Sequence, residues 1–435
     1  MNGSLNILCC FSKGVHIPMG IITVTGGNKL SGELNVHGAK NSALPILAAT
    51  VLIKGETVIH NCPKLSDINA AINILRHLGC IVKRDGHTIT VNSKNITESF
   101  IPDSLMREMR SSIIFLGALI ARTGNAKLSS PGGCELGPRP IDIHIAALKN
   151  LGVDITEEGG LLNCKVKNKL KGKIINFPVP SVGATENALI AATVAEGKTV
   201  IHNAAREPEI SDLANFLRMA GAKITGENIG IIEVEGVKRL NSLEHRVISD
   251  RIEAATYMSC AAATGGEIYL KKINPDFLLP VIEVFNKSGC EIVTGVNGLW
   301  LKAPKQIKSV ETVKTYYYPG FPTDAAPTTL AMLLKSNGAT VFVENIFQNR
   351  YKYVDELKRF GANISVEGKV AIVFGKEKLY GAKVECTDLR GGAATVVAAL
   401  SSVGTSFINK IYHIDRGYEN LVENLKNLGA DISRK

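Results

Sequence analysis

One pattern recurs six times along the 435 residues: a helix-like stretch, a glycine and then a strand-like stretch. The six segments are AINILRHLGCIV, HIAALKNLGVDI, LANFLRMAGAKI, VIEVFNKSGCEI, VDELKRFGANI and LVENLKNLGADI. Their glycines are 68 to 73 residues apart: Gly79, Gly152, Gly221, Gly289, Gly361 and Gly429. Apolar residues recur at three- and four-residue spacing, and glycine stands where a helix C-cap needs left-handed backbone. The sequence therefore predicts six copies of one supersecondary unit.

A second, nearly all-apolar helix precedes each of these segments. The six stretches are NSALPILAATVL, SSIIFLGALIA, TENALIAATVA, IEAATYMSCAAA, DAAPTTLAMLL and AATVVAALSSV. A helix that is apolar on every face is expected to be buried on every face. Each unit of about 70 residues then consists of a strand, the apolar helix, a strand, the amphipathic helix and two strands. Such units cannot bury their helices alone, so we expect three of them to share one core, with helices inside and sheets outside.

The repeat also predicts the domain boundaries. We expect a first α/β domain over residues 41–248 and a second domain that combines residues 20–40 with 249–435. Residues 1–19 precede the first strand and have neither the basic start nor the small-residue cleavage site of a signal peptide. We expect translation from Met19 and no function for this leader.

The composition narrows the classes of function. Apolar residues make up 45% and charged residues 21%, as in soluble globular proteins, and no apolar run reaches the roughly 18 residues of a membrane span. A net charge of +10 indicates an anionic partner, but dispersed basic residues and 6% aromatic residues argue against nucleic acid. Nine cysteines without a CxxC pair indicate a reducing, cytosolic location without disulfides or structural zinc.

Short polar segments precede the apolar helices: GAKN (38–41), EMRSS (108–112), PSVGATEN (180–187), SDRIEA (249–254), GFPTDA (320–325) and TDLRGGA (387–393). Helix N-termini have unpaired N–H groups and a partial positive charge, so they favour anions. Four segments add a cation: Lys40, Arg110, Arg251 and Arg390. We expect these ends to converge into a cleft lined with cations. Helix capping is the alternative for the aspartates Asp250, Asp324 and Asp388.

Cys134 lies in the glycine- and proline-rich stretch SSPGGCELGPRP, five residues before Arg139. Nearby cations lower the pKa of a thiol and favour the reactive thiolate, so Cys134 is predicted to be catalytic. Metal binding and simple exposure remain the alternatives at this position. Inert packing is the interpretation for Cys80, Cys260 and Cys290, which lie in or beside apolar segments.

From about Ile21 onward, a set of short motifs follows in a fixed order: GAKNSALPIL, MRSSI, PGGCELGPRPIDIH, SVGATEN, AAREPEI, DRIEA, GFPTD, NR, TDLRGGA and YHIDRGYE. With this set the chain resembles the UDP-N-acetylglucosamine 1-carboxyvinyltransferase family of enolpyruvyl transferases. It implies two inside-out α/β barrel domains of three units each. It also implies transfer of the enolpyruvyl group of phosphoenolpyruvate to the 3-hydroxyl of UDP-N-acetylglucosamine with release of phosphate, the first committed step of peptidoglycan synthesis. The expected protein is a cytoplasmic monomer without metal, organic cofactor, nucleic acid or membrane.

The resemblance also implies roles for individual residues. Cys134 matches the general acid, which fosfomycin modifies, while Asp324 matches the base near the 3-hydroxyl, with Asp388 in support. The residues matching the phosphoenolpyruvate site are Lys40, Asn41, Arg139, Arg390 and Arg416. Those matching the nucleotide-sugar site are Arg110, Arg139, Pro140, Ile141, Asp142, Ile143, Ser181, Val182, Asp324 and Ile346.

Several residues depart from the family pattern: Val179, Ala255, Ala325, Ala326, Pro327, Gln348 and Tyr353. Because of these departures, the alternative that the protein is a divergent paralogue with low or regulatory activity stays open. A sister enolpyruvyl transferase acting on shikimate 3-phosphate is the nearest rival, although the PGGC loop argues against it. An RNA 3′-phosphate cyclase-like enzyme would need a nucleotide-bound histidine near the C-terminus, and His413 is a poor candidate.

Overall fold

The computed structural model describes residues 20–109, 111–129 and 141–435. The described chain begins with two strands, β1 (Ile22–Thr25) and β2 (Ser31–Asn35). The first unit contains α1 (Lys40–Ala49), β3 (Glu56–His60), α2 (Ser66–His77), β4 (Ile81–Asp85) and β5 (Thr88–Asn92). The second contains β6 (Phe100–Ile101), α3 (Asp103–Glu108), α4 (Phe115–Thr123), β7 (Asn125–Ser129), α5 (Asp142–Asn150), β8 (Val153–Glu158) and β9 (Leu161–Val166). The third contains β10 (Ile174–Asn176), α6 (Val182–Ala192), β11 (Lys198–His202), α7 (Pro208–Met219), β12 (Lys223–Thr225) and β13 (Ile231–Glu235).

The second half of the chain repeats this order of elements. The fourth unit contains β14 (Leu243–Arg246), α8 (Arg251–Thr264), β15 (Glu267–Lys271), α9 (Leu279–Lys287), β16 (Glu291–Gly295) and β17 (Gly298–Lys302). The fifth contains β18 (Thr312–Lys314), α10 (Ala326–Met332), β19 (Ala339–Val343), α11 (Val354–Lys358), β20 (Asn363–Glu367) and β21 (Val370–Phe374). The sixth contains β22 (Lys383–Glu385), α12 (Leu389–Ser401), β23 (Thr405–Asn409), α13 (Leu421–Asn427) and β24 (Asp431–Arg434). Short 3-10 turns lie at Thr50–Leu52, Ser112–Ile114, Pro275–Leu278, Leu333–Lys335, Arg350–Tyr353 and Ile411–Arg416.

The strands of the described residues form six four-stranded sheets with one common pattern. In the sheet β10-β11-β13-β12, the strand before the apolar helix pairs in parallel with the strand after it, and the other pairings are antiparallel. Burial alternates along the strands, as in β3 and β11, so one face of each sheet covers the helices. The helices from the apolar stretches are almost wholly buried; in α8 every residue from Arg251 to Ala262 is buried. The predicted fold class, with helices inside and sheets outside, is confirmed.

Two strands are exchanged between repeat units that lie in different halves of the chain. Strand β2 precedes α1 but pairs in parallel with β15, where Leu34 lies opposite Leu270. Strand β14 precedes α8 but pairs in parallel with β3 of the first unit. The first and fourth units therefore do not supply the first strand of their own sheets, although the repeat pattern gives every unit such a strand; the expected grouping of residues 20–40 with 249–435 implies this exchange. Local patterning specifies a strand but not its partner, which is chosen by long-range packing.

The buried apolar side chains form two separate clusters. One lies between residues 43 and 247, and the other joins residues 22–36 to residues 254–432. The chain passes between the clusters at two neighbouring segments, where Gly38 forms a β-bridge with Ser249. The domain boundaries at residues 40/41 and 248/249 stay a prediction.

The predicted helix ends are confirmed at all six repeat glycines. Their φ angles lie between 87° and 107°, in the left-handed region that side chains with a Cβ avoid. No helix in the described ranges has the length and apolar character needed to cross a membrane.

Candidate active site

The polar segments before the apolar helices lie at helix N-termini, as predicted. Lys40 is the first residue of α1 and Arg251 the first of α8, and Arg390 lies in the first turn of α12. Asp250 caps α8 by accepting from the backbone N–H groups of Ile252 and Glu253. Asp388 caps α12 in the same way, because its Oδ1 accepts from the N–H groups of Arg390 and Gly391. The capping interpretation therefore holds for these two aspartates.

Lys40 is buried in an ion-pair network with Asp67 and Arg416. The Lys40 Nζ lies 3.2 Å from Asp67 Oδ2, and the Arg416 Nε donates to Asp67 Oδ1 at 3.0 Å. Burial raises the pKa of Asp67, but attraction to Lys40 and Arg416 outweighs it, so this pKa lies below its ordinary value. Asp67 is thus a buried anion held between two cations. Because Asp67 lies in the first half of the chain and Arg416 in the last unit, the network joins distant parts of the sequence.

Asp324 forms a second network with Arg350 and Arg390. Its Oδ1 accepts from Arg350 Nη2 at 3.1 Å, and its Oδ2 accepts from Arg390 Nε at 3.2 Å. The side chains of Arg350 and Arg390 are 1% and 3% exposed, whereas that of Asp324 is 30% exposed. The capping alternative is wrong for Asp324, because the N-cap of α10 is Ala325. Asp324 is a partly accessible carboxylate oriented by two arginines.

The two networks lie close enough to interact electrostatically. Burial lowers the pKa of Lys40, and repulsion by the charges of Arg390 and Arg416 lowers it further. Attraction to Asp67 and Asp324 offsets these effects only in part. We call Lys40, Asp67, Asp324, Arg350, Arg390 and Arg416 the anion-binding cluster. The sequence predicted a cleft lined with cations and positive helix ends, and the structure adds the buried carboxylate of Asp67 as the partner of Lys40 and Arg416, because buried cations need partners.

Asp67 and Glu344 are the residues of this region that sequence reasoning missed. Asp67 lies in the first turn of α2, where an acidic residue is ordinary helix chemistry and carries no sign of a distant lysine. Glu344 accepts from the Thr323 hydroxyl at 2.9 Å and from the backbone N–H groups of Ile346 and Phe347. Glu344 thereby connects the Thr323 side chain, next to Asp324, to the turn at Ile346 and Phe347.

The residues matched to the nucleotide-sugar site occupy helix starts and one turn. Asp142 and Ile143 begin α5, preceded by Ile141, and Ser181 caps α6, whose first residue is Val182. The two helices pack together through His144, whose Nδ1 accepts from the Asn187 amide at 2.8 Å. Burial lowers the pKa of His144 to about 4, so this ring is neutral at physiological pH. Asn41 is exposed beside Lys40, and Ile346 lies in the turn held by Glu344.

Four predicted site residues lie outside the described residues: Arg110, Cys134, Arg139 and Pro140. Their roles stay predictions. The described cysteines are free and buried, namely Cys62, Cys80, Cys164, Cys260, Cys290 and Cys386. Burial raises the pKa of Cys260 and Cys290 to about 12, so these thiols are protonated and inert. The packing interpretation of Cys80, Cys260 and Cys290 is confirmed.

Four of the five departures from the family pattern that follow Asp324 are buried positions. Ala325 and Ala326 are 0% and 3% exposed and belong to the second apolar cluster, and Pro327 is buried in the first turn of α10. Tyr353 is 1% exposed, and its hydroxyl has no hydrogen-bond partner among the described residues. Gln348 lies exposed in the turn before Arg350. None of these side chains interrupts the contacts of Asp324 with its two arginines.

Comparison with known proteins identifies the family to which this chain belongs. The family model described as EPSP synthase (3-phosphoshikimate 1-carboxyvinyltransferase) matches residues 24–425. UDP-N-acetylglucosamine 1-carboxyvinyltransferase 2 of Caldanaerobacter subterraneus subsp. tengcongensis is 50% identical over 416 residues, 96% of this chain and 100% of that protein. UDP-N-acetylglucosamine 1-carboxyvinyltransferase 1 of Symbiobacterium thermophilum is 45% identical, over 94% of each chain.

Solved structures of lower identity share the fold. The enolpyruvyl transferase NikO from Streptomyces tendae superposes with a TM-score of 0.87 at 24% identity, covering 96% of this chain and 99% of that one. EPSP synthase from Acinetobacter baumannii superposes with a TM-score of 0.75 at 19% identity, covering 96% of this chain and 100% of that one. With relatives matched at up to 50% identity over their full length, the chain belongs to the UDP-N-acetylglucosamine 1-carboxyvinyltransferase family of enolpyruvyl transferases.

Proposed function

We propose that this protein transfers the enolpyruvyl group of phosphoenolpyruvate to the 3-hydroxyl of UDP-N-acetylglucosamine and releases phosphate. The anion-binding cluster is the observation that carries the proposal, because it brings four cations together around two carboxylates. Phosphoenolpyruvate bears a phosphate and a carboxylate, and charge-assisted hydrogen bonds to arginine and lysine suit both groups. The names of the relatives supply the acceptor sugar.

The cluster retains unused hydrogen-bond donors for such a ligand. Arg350 Nε and Arg390 Nη1 are buried nitrogens without a hydrogen-bond partner in the described part of the chain. Unmet donors of this kind are costly to bury, and an anionic ligand would satisfy them. Lys40 and Arg416 face the ligand from the other network and are held ready by Asp67. An incoming anion competes with Asp67 for Arg416, whose side chain is 19% exposed.

Asp324 is the proposed base. When Cys134 protonates the methylene carbon of phosphoenolpyruvate, an oxocarbenium-like centre forms at the neighbouring carbon. The sugar 3-oxygen bonds to that centre, and Asp324 takes the hydroxyl proton. Phosphate then leaves with the proton held by Asp324, and one methyl proton returns to the Cys134 thiolate, so the double bond is restored and atoms and charges balance. The contacts with Arg350 and Arg390 orient the carboxylate for this step. Asp388 contributes by capping α12 and so positioning the backbone of Arg390.

The nucleotide sugar is assigned to the adjoining helix starts of α5 and α6. Free N–H groups at these ends suit the diphosphate of the nucleotide, and Arg110, Arg139 and Pro140 complete the proposed site. We further propose that the two apolar clusters are separate domains, that the protein is a cytoplasmic monomer, and that it uses no metal or organic cofactor for this reaction.

The test is phosphate release from phosphoenolpyruvate with either acceptor, UDP-N-acetylglucosamine or shikimate 3-phosphate. We expect phosphate release when the acceptor is UDP-N-acetylglucosamine but not when it is shikimate 3-phosphate. The Cys134→Ala variant should release no phosphate with either acceptor. Cys290→Ala is the matched control, because this buried thiol is inert and its removal leaves the site intact. Release with shikimate 3-phosphate would favour the sister reaction, and no release with either acceptor would favour a regulatory paralogue.

A further inference from the structure

Two histidines and a glutamate that do not belong to the anion-binding cluster meet beside it, at the junction of the two apolar clusters. His37 lies between β2 and α1, His87 in the turn between β4 and β5, and Glu419 just before α13. Each side chain offers one ligand atom, and the three atoms lie within 4.8 Å of one another. We call these residues the His37–His87–Glu419 group. No step of the proposed reaction uses it.

The spacing within this group is close to that of a metal site. His87 Nε2 lies 2.8 Å from Glu419 Oε1, and the rings of His37 and His87 are stacked with centroids 6.0 Å apart. Two ligand atoms of a tetrahedral zinc ion lie about 3.3 Å apart, given zinc–ligand bonds of about 2.0–2.2 Å. A widening of about half an ångström between His87 and Glu419 therefore admits the ion.

Outer hydrogen bonds hold two of the three residues in place. Glu253 is buried and accepts from both the backbone N–H and the ring Nδ1 of His37, each at 2.8 Å. A carboxylate bound to one ring nitrogen directs the lone pair of the other, Nε2, towards a metal. Glu419 Oε2 accepts from the Lys64 N–H at 2.7 Å, which leaves Oε1 for the ion. Oriented imidazole and carboxylate ligands of this kind are typical of metal sites.

We propose that His37, His87 and Glu419 bind one divalent transition-metal ion of the zinc class, with water completing the coordination. The side chain of His87 is 44% exposed, so solvent and metal can reach the group, while Glu419 is buried. Nitrogen and oxygen ligands without sulfur suit Zn²⁺ and Co²⁺ better than Cu(I). His87 and Glu419 belong to different halves, so the ion fastens the halves together beside the Arg416–Asp67 contact. This inference does not rest on the proposed activity.

The test is zinc binding by the metal-stripped full-length protein. Accessible thiols are first alkylated so that cysteines do not bind metal, and Zn²⁺ uptake is measured by competition with a chromophoric chelator. We expect one equivalent per chain, and at least about tenfold weaker binding in His87→Gln and Glu419→Gln. His202→Gln is the matched control, because this half-buried histidine lies on β11 in another sheet. It should bind zinc like the wild type.

Two further readouts decide whether the site is the one proposed. Bound Co²⁺ should give the visible spectrum of nitrogen and oxygen ligands without a thiolate charge-transfer band, and His87→Gln should abolish it. Zinc should raise the melting temperature of the wild type and of His202→Gln but not of His87→Gln. His87 is exposed in a turn, so its variant is expected to fold, which its melting temperature in EDTA checks. No stoichiometric uptake by the wild type, or equal uptake by His87→Gln and Glu419→Gln, overturns the proposal.

Discussion

At the scale of single residues, the partners of the charged groups distinguish chemistry from helix capping. Asp250 and Asp388 satisfy backbone N–H groups at their helix starts. Asp324 contacts two arginine side chains and is partly exposed. The three aspartates look alike in the sequence, since each lies just before an apolar helix. Only their side-chain partners separate a capping residue from a candidate base.

We predict that Asp324→Asn greatly reduces turnover. Asparagine keeps the size of the side chain but cannot accept the hydroxyl proton, so kcat should fall by about 10²–10⁴-fold. Steady-state phosphate release with both substrates measures this. Asp355→Asn is the control, because Asp355 is exposed and forms a surface ion pair with Lys358 within α11. A kcat for Asp324→Asn similar to that of the control would remove Asp324 from the chemistry.

The buried Glu186 gives a prediction about pH. It lies in α6, fully enclosed near Glu207 and Glu209, and burial together with these two carboxylates raises its pKa well above the usual value. A carboxyl whose folded pKa exceeds its unfolded pKa, about 4.3, reduces stability as pH rises between the two values. Glu186→Gln removes this penalty. The variant should therefore gain more in melting temperature over the wild type at pH 8 than at pH 5.

Calorimetry at the two pH values measures the effect of Glu186→Gln. Glu377→Gln is the control, because Glu377 is exposed and its substitution should shift the melting temperature equally at both pH values. A gain for Glu186→Gln that is independent of pH would mean that Glu186 is ionised in the folded protein.

At the scale of elements, the glycine that ends each amphipathic helix is a backbone requirement. Gly152 has a φ of 95°, and a methyl group there would meet nothing nearer than 4.0 Å. Gly152→Ala therefore tests the backbone alone and should lower the free energy of unfolding by about 1–2 kcal/mol. Chemical denaturation measures this. Gly295 is the control, because its φ is not left-handed and a Cβ added there would lie 3.7 Å from the nearest heavy atom. Gly295→Ala should therefore cause no comparable loss of unfolding free energy.

The helices were predictable because their signals are local. The apolar stretch NSALPILAATVL, for example, coincides with α1. The repeat glycines coincide with the C-terminal ends of the amphipathic helices. The strands were also predictable as strands, but not their partners. Strand β2 has an exposed, polar pattern with one buried residue, Leu34, and nothing in it indicates β15 as its neighbour. Pairing across more than 200 residues depends on how the halves pack.

At the scale of the whole molecule, the last sheet is closed by the first strand. The sixth unit ends at β24 and lacks the strand that β13 supplies in the third unit. Strand β1 takes that place between β23 and β24, antiparallel to both. Its Ile22 and Val24 are 1% and 0% exposed in the second apolar cluster. The two ends of the described chain are thus fastened in one sheet.

We predict that a chain beginning at Gly27 is severely destabilised. It lacks β1, so β23 and β24 lose their common neighbour, and burial of Ile22 and Val24, worth about 1.5–3 kcal/mol each, is lost. Thermal unfolding followed by circular dichroism measures the effect. A chain beginning at Met19 is the control and should melt like the full-length protein. Equal melting of both shortened chains would mean that β1 adds nothing to the last sheet.

Local sequence determined the repeated units, the buried helices, the glycine stops and, through family motifs, most of the candidate site residues. Helix periodicity, capping and turn formation act over a few neighbouring residues, so they can be recognised in one dimension. The tertiary structure decided the exchange of β2 and β14, the placement of β1 and the partners of the cations. Asp67 pairs with Lys40 and Arg416, which are 27 and 349 residues away. Such contacts form because a buried charge must find its counter-charge in space, wherever the fold brings one.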